Sequence, residues 1–211
     1  MTTWRYLQLA DSAFPTGGFA HSGGLEAAAQ AGEVKDLLAF TRSALWQAGL
    51  GALPLAQDGW RDPGALARLD ARADVFLANH VANHASRTQG AAFLSTCARV
   101  FPAEAPRVPE GLYLHLAPLW GVAFRGLGMS LEETRHLFLW SSARGVLSAG
   151  VRLGLAGTYE AQRMLADLGT ALDEVAARCA SLGADDLAQP APLLDLLHAT
   201  HDRLHSRLFQ S

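Results

Sequence analysis

Isoleucine is missing from this 211-residue chain, and lysine occurs once, as Lys35, among 17 basic residues. No segment alternates β-branched and polar residues as a half-buried strand would, and alanine dominates instead. Two cysteines, Cys97 and Cys179, cannot build a disulfide framework, so nothing points to a secreted scaffold. Charged residues make up only 18% of the chain, against a usual share of about 25%. The net charge of −3 gives no electrostatic footprint for nucleic acid or an anionic membrane. Met1 to Ala10 has no apolar core of leader-peptide length. The longest apolar stretch, Gly111 to Phe124, is broken by His115 and Pro118 and falls short of the ~20 residues a spanning helix needs. A cytoplasmic protein without membrane or nucleic-acid contact is therefore expected. A surface this poor in charge suits a protein that works in complexes.

What is present reads as helix. Leu165, Leu168, Leu172, Val175, Cys179 and Leu182 recur at steps of three and four, predicting one long helix opened near Gly157 or Thr158 and closed by Gly183. Ser130 and Glu133 form a capping box ahead of Leu137, Phe138 and Trp140. Asp62-Pro63 starts a helical pattern running, with a break, towards Val100, and the proline-rich stretch Phe101–Pro109 ends it. Further helices are predicted over Thr3–Ala10, Ser22–Ala31, Val34–Ala48, Leu112–Leu127 and Pro192–Leu208. The expectation is one all-α domain over residues 1–211, a multi-helix bundle with Trp120, Phe124, Phe138, Trp140 and Leu147 in its core.

Paired catalytic machinery does not emerge. There is no phosphate loop, dinucleotide fingerprint or Cys-x-x-Cys, and no Ser/His/Asp set can be placed. Residues 12–26 do form a distinctive loop, with four glycines in the eight residues from Gly17 to Gly24 and aromatics at Phe14 and Phe19. Glycine lets the backbone turn sharply and approach a neighbour closely. The loop is either an ordered connector or a docking surface, and Ser22 can cap the helix that follows, with Glu26 in its first turns. His80 and His84 share a helix face, as do His198, His201 and His205 if their segment is helical. Either set could hold a borderline metal or simply be a polar face. His115, His136 and both cysteines read as structural. Residues 201–211 end in Ser206-Arg207-Leu208-Phe209-Gln210-Ser211. Such a tail frays in solution, yet Arg and Phe are residue types favoured as interface anchors, so it is expected to order on binding a partner. Arg207 is either a charge complementing a helix dipole or an arginine-finger-like group.

These two segments resemble a known family, the UreF urease accessory proteins. The likeness lies in Leu7-Gln8-Leu9 followed by Pro15, Gly17, Gly18, Phe19, Ser22, Gly24, Leu25 and Glu26. It continues in Ser148–Gly154 with Gly157 and Gln162, then in Pro192–Asp195, His201-Asp202 and Ser206–Ser211. His21 and His205 stand where tyrosine is usual, and Asp202 stands for glutamate. The resemblance implies an all-α, non-catalytic scaffold that binds UreD (also called UreH) and recruits the GTPase UreG for nickel insertion into apo-urease. It implies a homodimer, and no cofactor on this chain, nickel and GTP being handled by the complex. It places partner contacts at Phe19, His21, Ser22, Gly24, Glu26, His201, Arg207, Leu208, Phe209 and Ser211. Phe19 and Arg207 are linked to UreG recruitment, with modulation of GTP turnover as a sharper variant. The alternative is a nickel-binding chaperone using His198, His201 and His205.

Overall fold

The computed structural model describes residues 3–211, so Met1 and Thr2 of the segment inspected for a leader peptide lie outside the described residues. The expected all-α class is the one observed: no strand occurs among the described residues. Helix α1 (Thr3–Ala10) leads into the glycine loop, which contains a 3-10 turn at Gly18–Ala20. Helices α2 (Leu25–Gln30) and α3 (Leu37–Gln47) follow, and a π turn over Ala48–Ala52 joins α3 to α4 (Leu53–Arg61). Next come α5 (Leu66–Phe76), α6 (His80–Val100), α7 (Leu116–Gly126) and α8 (Leu131–Arg152). The chain closes with α9 (Thr158–Asp167), α10 (Gly169–Arg178), α11 (Pro192–His198) and a 3-10 turn at His201–Arg203. No helix among the described residues is long and apolar enough to cross a membrane.

The helix starts follow local chemistry. Ser130 Oγ accepts from the Glu133 N–H at 3.1 Å and the Glu133 carboxylate accepts from the Ser130 N–H at 2.7 Å, closing the expected capping box of α8. Asp36 and Asn79 cap α3 and α6 in the same way from one side. Helix α4 was not expected, because Gly49, Gly51, Pro54 and Gly59 look like a run of breakers. Pro54 sits in the first turn of α4, where its missing N–H costs nothing. The glycines serve close packing: a Cβ on Gly121 would lie 1.8 Å from the Ala56 carbonyl oxygen, and one on Gly59 2.5 Å from that of Pro118. Helices α4 and α7 therefore cross with their backbones in contact.

Three other expectations are corrected. The long helix predicted from Leu165 to Leu182 is two helices that break at Leu168, and Gly183 is no helix cap, its N–H donating instead to the Asp186 carboxylate at 2.9 Å. Leu168, Val175 and Cys179 of that stripe are nonetheless fully buried. The helix predicted over Pro192–Leu208 stops at His198. Trp140 is half-buried, with the Arg144 guanidinium 4.8 Å above its ring, whereas Trp120, Phe124, Phe138 and Leu147 are in the core as expected.

The core has two centres. The larger lies around α4 and α7, where Phe93, Trp120, Phe124 and Phe138 pack ring on ring. The smaller joins Leu25 and Ala28 of α2, Leu37 and Phe40 of α3 and Ala143 to Ala149 of α8, and it also takes in Phe209 from the end of the chain. The tail thus contributes to a hydrophobic core, which is why it is seated rather than frayed.

Candidate functional site: a glycine loop closed by the C-terminal tail

The glycine loop rests on α6. Gly17 has φ 77° and a Cβ there would stand 3.2 Å from the Ala92 methyl, while Thr96 Oγ1 donates to the Pro15 carbonyl at 2.7 Å. Phe14 is buried against Phe101 with ring centroids 6.1 Å apart, which removes it from any docking surface. The other side of the loop meets the tail. The Gln210 N–H donates to the Ala20 carbonyl at 2.8 Å, and the Ser22 N–H donates to the main-chain oxygen of Ser211 at 2.6 Å. Ser22 Oγ donates to that same oxygen at 2.9 Å and also accepts from the Glu26 N–H at 3.3 Å, so it does engage the first turn of α2. The residue capping α2 is Gly24, with φ 87°, and it cannot be larger because a Cβ would sit 2.9 Å from His198 Cβ.

Glu26 is the centre of the junction. Its side chain is 2% exposed, and its carboxylate accepts from Leu208 N–H at 2.6 Å, Phe209 N–H at 3.1 Å and His201 Nε2 at 2.9 Å. Burial pushes this carboxyl up, but the bonds from Leu208, His201 and Phe209 outweigh it and hold the group below its ordinary range. A carboxylate cannot donate, so the hydrogen of this bond comes from His201 Nε2; the Nδ1 of that ring is buried without a partner, as is His198 Nε2. His21 Nδ1 meets Ser211 Oγ at 2.6 Å. Burial, aided by His84 and His201, lowers the His21 pKa to about 4, and burial with His201 and His21 does the same for His198.

The histidines do not form the expected stripe. The helix ends at His198, which faces Gly24, His201 is buried against Glu26, and His205 is exposed beyond the last turn. His80 pairs with Asp202 at 2.9 Å rather than with His84. Among the described residues no group of three or more His, Cys, Asp or Glu is arranged to hold a metal ion. Nor does Arg207 complement a helix dipole, since no helix reaches it.

The finding that residue types alone did not reveal is Arg152, in the last turn of α8. Its guanidinium lies 3.9 Å from the Phe19 ring centroid and 4.1 Å from that of Phe209, and it donates to the Phe19 carbonyl. Arg152 thereby ties the loop to the tail. It lies in the Ser148–Gly154 segment, but nothing local to that segment reveals that two aromatics distant in sequence fold onto it. Around this clamp Phe19 is 72% exposed and Leu208 52%, and Arg207 is exposed with no ion pair among the described residues. His201, Glu26, Ser22, Phe209 and Ser211 are buried beneath that face.

A Ser/His/Asp set that sequence reasoning did not place also exists in space. His115 Nδ1 meets Ser86 Oγ at 3.1 Å and His115 Nε2 meets Asp74 at 3.2 Å. Its geometry is that of a helix start: Ser86 Oγ accepts from Leu116 N–H at 3.3 Å and Asp70 accepts from the N–H groups of Tyr113, Leu114 and His115. These bonds hold Leu114 at φ 66° beside Gly90, whose missing Cβ makes room for the Leu114 carbonyl. His115 is fully buried, and burial lowers its pKa.

The fold and site define an all-helical domain whose distinctive feature is a glycine loop closed over by its own C-terminal tail, with an aromatic and basic face on top. The family model for UreF matches residues 32–169. Curated relatives extend the match to both ends. Urease accessory protein F of Arabidopsis thaliana is 33% identical over 222 residues, covering 99% of this chain and 92% of that protein. The same protein of Oryza sativa subsp. indica is 32% identical across 98% of this chain and 84% of its own length. Urease accessory protein UreF of Rhizobium leguminosarum bv. viciae is 31% identical, covering 94% and 92%. The chain belongs to the UreF family of urease accessory proteins.

Proposed function

We propose that this protein is a non-catalytic scaffold of urease maturation in the cytoplasm. It binds UreD (UreH), recruits the GTPase UreG, and so supports GTP-dependent delivery of nickel, the cargo, to apo-urease. Two copies of the chain are expected in the assembly, with nickel and GTP handled by the complex. The observation that carries this reading is the single face bearing Phe19, Arg207 and Leu208, held from beneath by Glu26, Arg152 and the buried tail. Exposed aromatic and arginine side chains on a rigid base are the usual anchors of a protein interface. His21, Ser22, Gly24, Glu26, His201, Phe209 and Ser211 act through that base rather than by direct contact.

The test is co-purification with UreD and UreG. Arg207→Ala is exposed and load-free in the fold, so it is expected to lose UreG while keeping UreD and full helical content. Normal recovery of UreG with this variant refutes the assignment. The sharper form, in which Arg207 also alters GTP turnover on UreG, fails if turnover is unchanged on adding the parent chain.

A further inference from the structure

A groove of about 590 Å3 lies beside the C-terminal end of α7 and shares no residue with the junction of loop and tail. Its volume is in the ~300–1,000 Å3 range of ligand sites. The lining is mostly apolar: Leu66 and Ala67 from α5, Val122 from α7, Pro63 from the turn before α5, and Pro106 and Pro109 from the proline-rich stretch. That stretch is anchored from behind. Ala105 and Val108 pack against the larger core, and Arg5 of α1 pairs with Glu104 at 3.1 Å while lying 5.3 Å over the Phe101 ring. Gly126 lets the Glu104 carbonyl approach α7, since a Cβ there would stand 2.8 Å from that oxygen. Proline fixes its own φ, so the groove is formed before anything enters it. Its charges are unbalanced. Glu104, the one carboxylate in the lining, is taken by Arg5. Arg125 gives Nη1 to the Trp60 and Arg61 carbonyls at 2.7 and 2.8 Å and lies 5.1 Å from the Trp60 ring centroid, leaving Nε and Nη2 without an acceptor among the described residues. Arg107 is exposed and has neither a hydrogen bond nor an ion pair among the described residues. Two guanidinium groups thus lack a counter-ion at an apolar groove, on a chain whose net charge is −3.

We propose that this groove docks a short acidic and apolar segment of a partner protein, with a leucine-like side chain against Val122, Leu66 and the prolines and a flanking carboxylate held by Arg107 and Arg125. Charge complementarity sets the sign of the occupant. An arginine takes a carboxylate through two parallel N–H···O bonds, and arginine clusters are common readers of acidic motifs. The anchored proline wall needs no ordering when the segment binds, so less of the contact energy is spent on fixing the site. The other anionic occupants fit less well. A bilayer surface is flat and does not reach into a groove. Nucleic acid is bound through several phosphate contacts, and here it meets two free cations on a chain of negative net charge. A free small anion satisfies the guanidinium groups but leaves the apolar lining bare. The contact is additional to the face of Phe19, Arg207 and Leu208 and does not require it.

The experiment is an NMR titration of the full chain at low salt with an acetylated, amidated hexapeptide of alternating leucine and glutamate. Saturable shifts are expected at the amides of Gly64, Ala67, Arg107 and Gly126 and at the side-chain N–H groups of Arg107 and Arg125. Arg107→Glu, which removes no contact of the fold, should weaken binding at least about fivefold. Arg163→Glu, the same change of charge at an exposed position of α9, should leave it within about twofold. A peptide with alanine in place of leucine should bind at least about tenfold more weakly, because the apolar lining then stays wet. A peptide with lysine in place of glutamate should give no saturable shifts. Inorganic phosphate, oligouridylate and phosphatidylserine vesicles stand for the other anionic occupants, and each should leave the amides of Gly64 and Ala67 unmoved. The proposal is overturned if the leucine–glutamate peptide gives no saturable shifts at these residues, if any of the three other probes reproduces them, if the alanine peptide binds as tightly, or if Arg107→Glu binds like the parent. None of these outcomes depends on the binding of UreD or UreG.

Discussion

Glu26→Gln is the substitution that most directly tests how the tail is held. The carboxylate accepts three hydrogen bonds at 2.6, 3.1 and 2.9 Å in a site with 2% side-chain exposure. Glutamine is nearly the same shape but has one acceptor oxygen, so its NH2 group must face at least one donor. One charge-assisted bond is lost and another weakened, which is worth about 3 kcal/mol at bonds of about 1.5–3 kcal/mol each. That corresponds to a roughly 150-fold rise in tail opening. Because the Glu26 pKa is lowered from 4.5, its contribution is complete above that value and disappears only as pH falls through the lowered one. The difference between parent and variant should therefore be constant across neutral pH. Hydrogen exchange at Leu208 and Phe209 reads it directly, and circular dichroism reports whether the helices survive. Protection within twofold of the parent at both amides would show that Glu26 does not hold the tail.

Two further changes separate clamp from scaffold. Arg152→Ala should free Phe19 and the loop without loss of helicity, and Arg152→Lys should fail to restore the clamp, because an ammonium cannot stack flat between two rings; the Phe19 side-chain resonances report it, and an unchanged Phe19 environment in Arg152→Ala would refute the clamp. Gly121→Ala drives a Cβ to 1.8 Å from the Ala56 carbonyl and should cost more than about 3 kcal/mol in urea unfolding. Gly23→Ala, at φ 63° with nothing within 4 Å, should cost only about 1 kcal/mol. Equal losses for these two would contradict the close α4–α7 crossing.

Much of the helical plan could be read from local chemistry. The Ser130–Glu133 box, the Asp62-Pro63 start and the proline-rich stop after Val100 work through neighbours in the chain, so they are visible without the fold. Helix α4 was hidden because its glycine, Gly59, is explained by Pro118 of α7, a residue distant in sequence. The break at Leu168 was hidden because a three–four stripe of apolar residues continues across two helices whose buried faces share one core.

The loop and tail motifs were likewise legible as motifs, and membership in the family followed from their order along the chain. Residue types alone determined an all-α protein with little charge, two inert thiols and two conspicuous terminal segments. Only the tertiary structure decided that those segments are one site. Glu26 bonds to amides 182 and 183 positions away, and Arg152 reaches a ring 133 positions behind it. Contacts over such separations leave no periodic trace in sequence, because they depend on which surfaces the buried apolar faces bring together rather than on the spacing of residues along a helix.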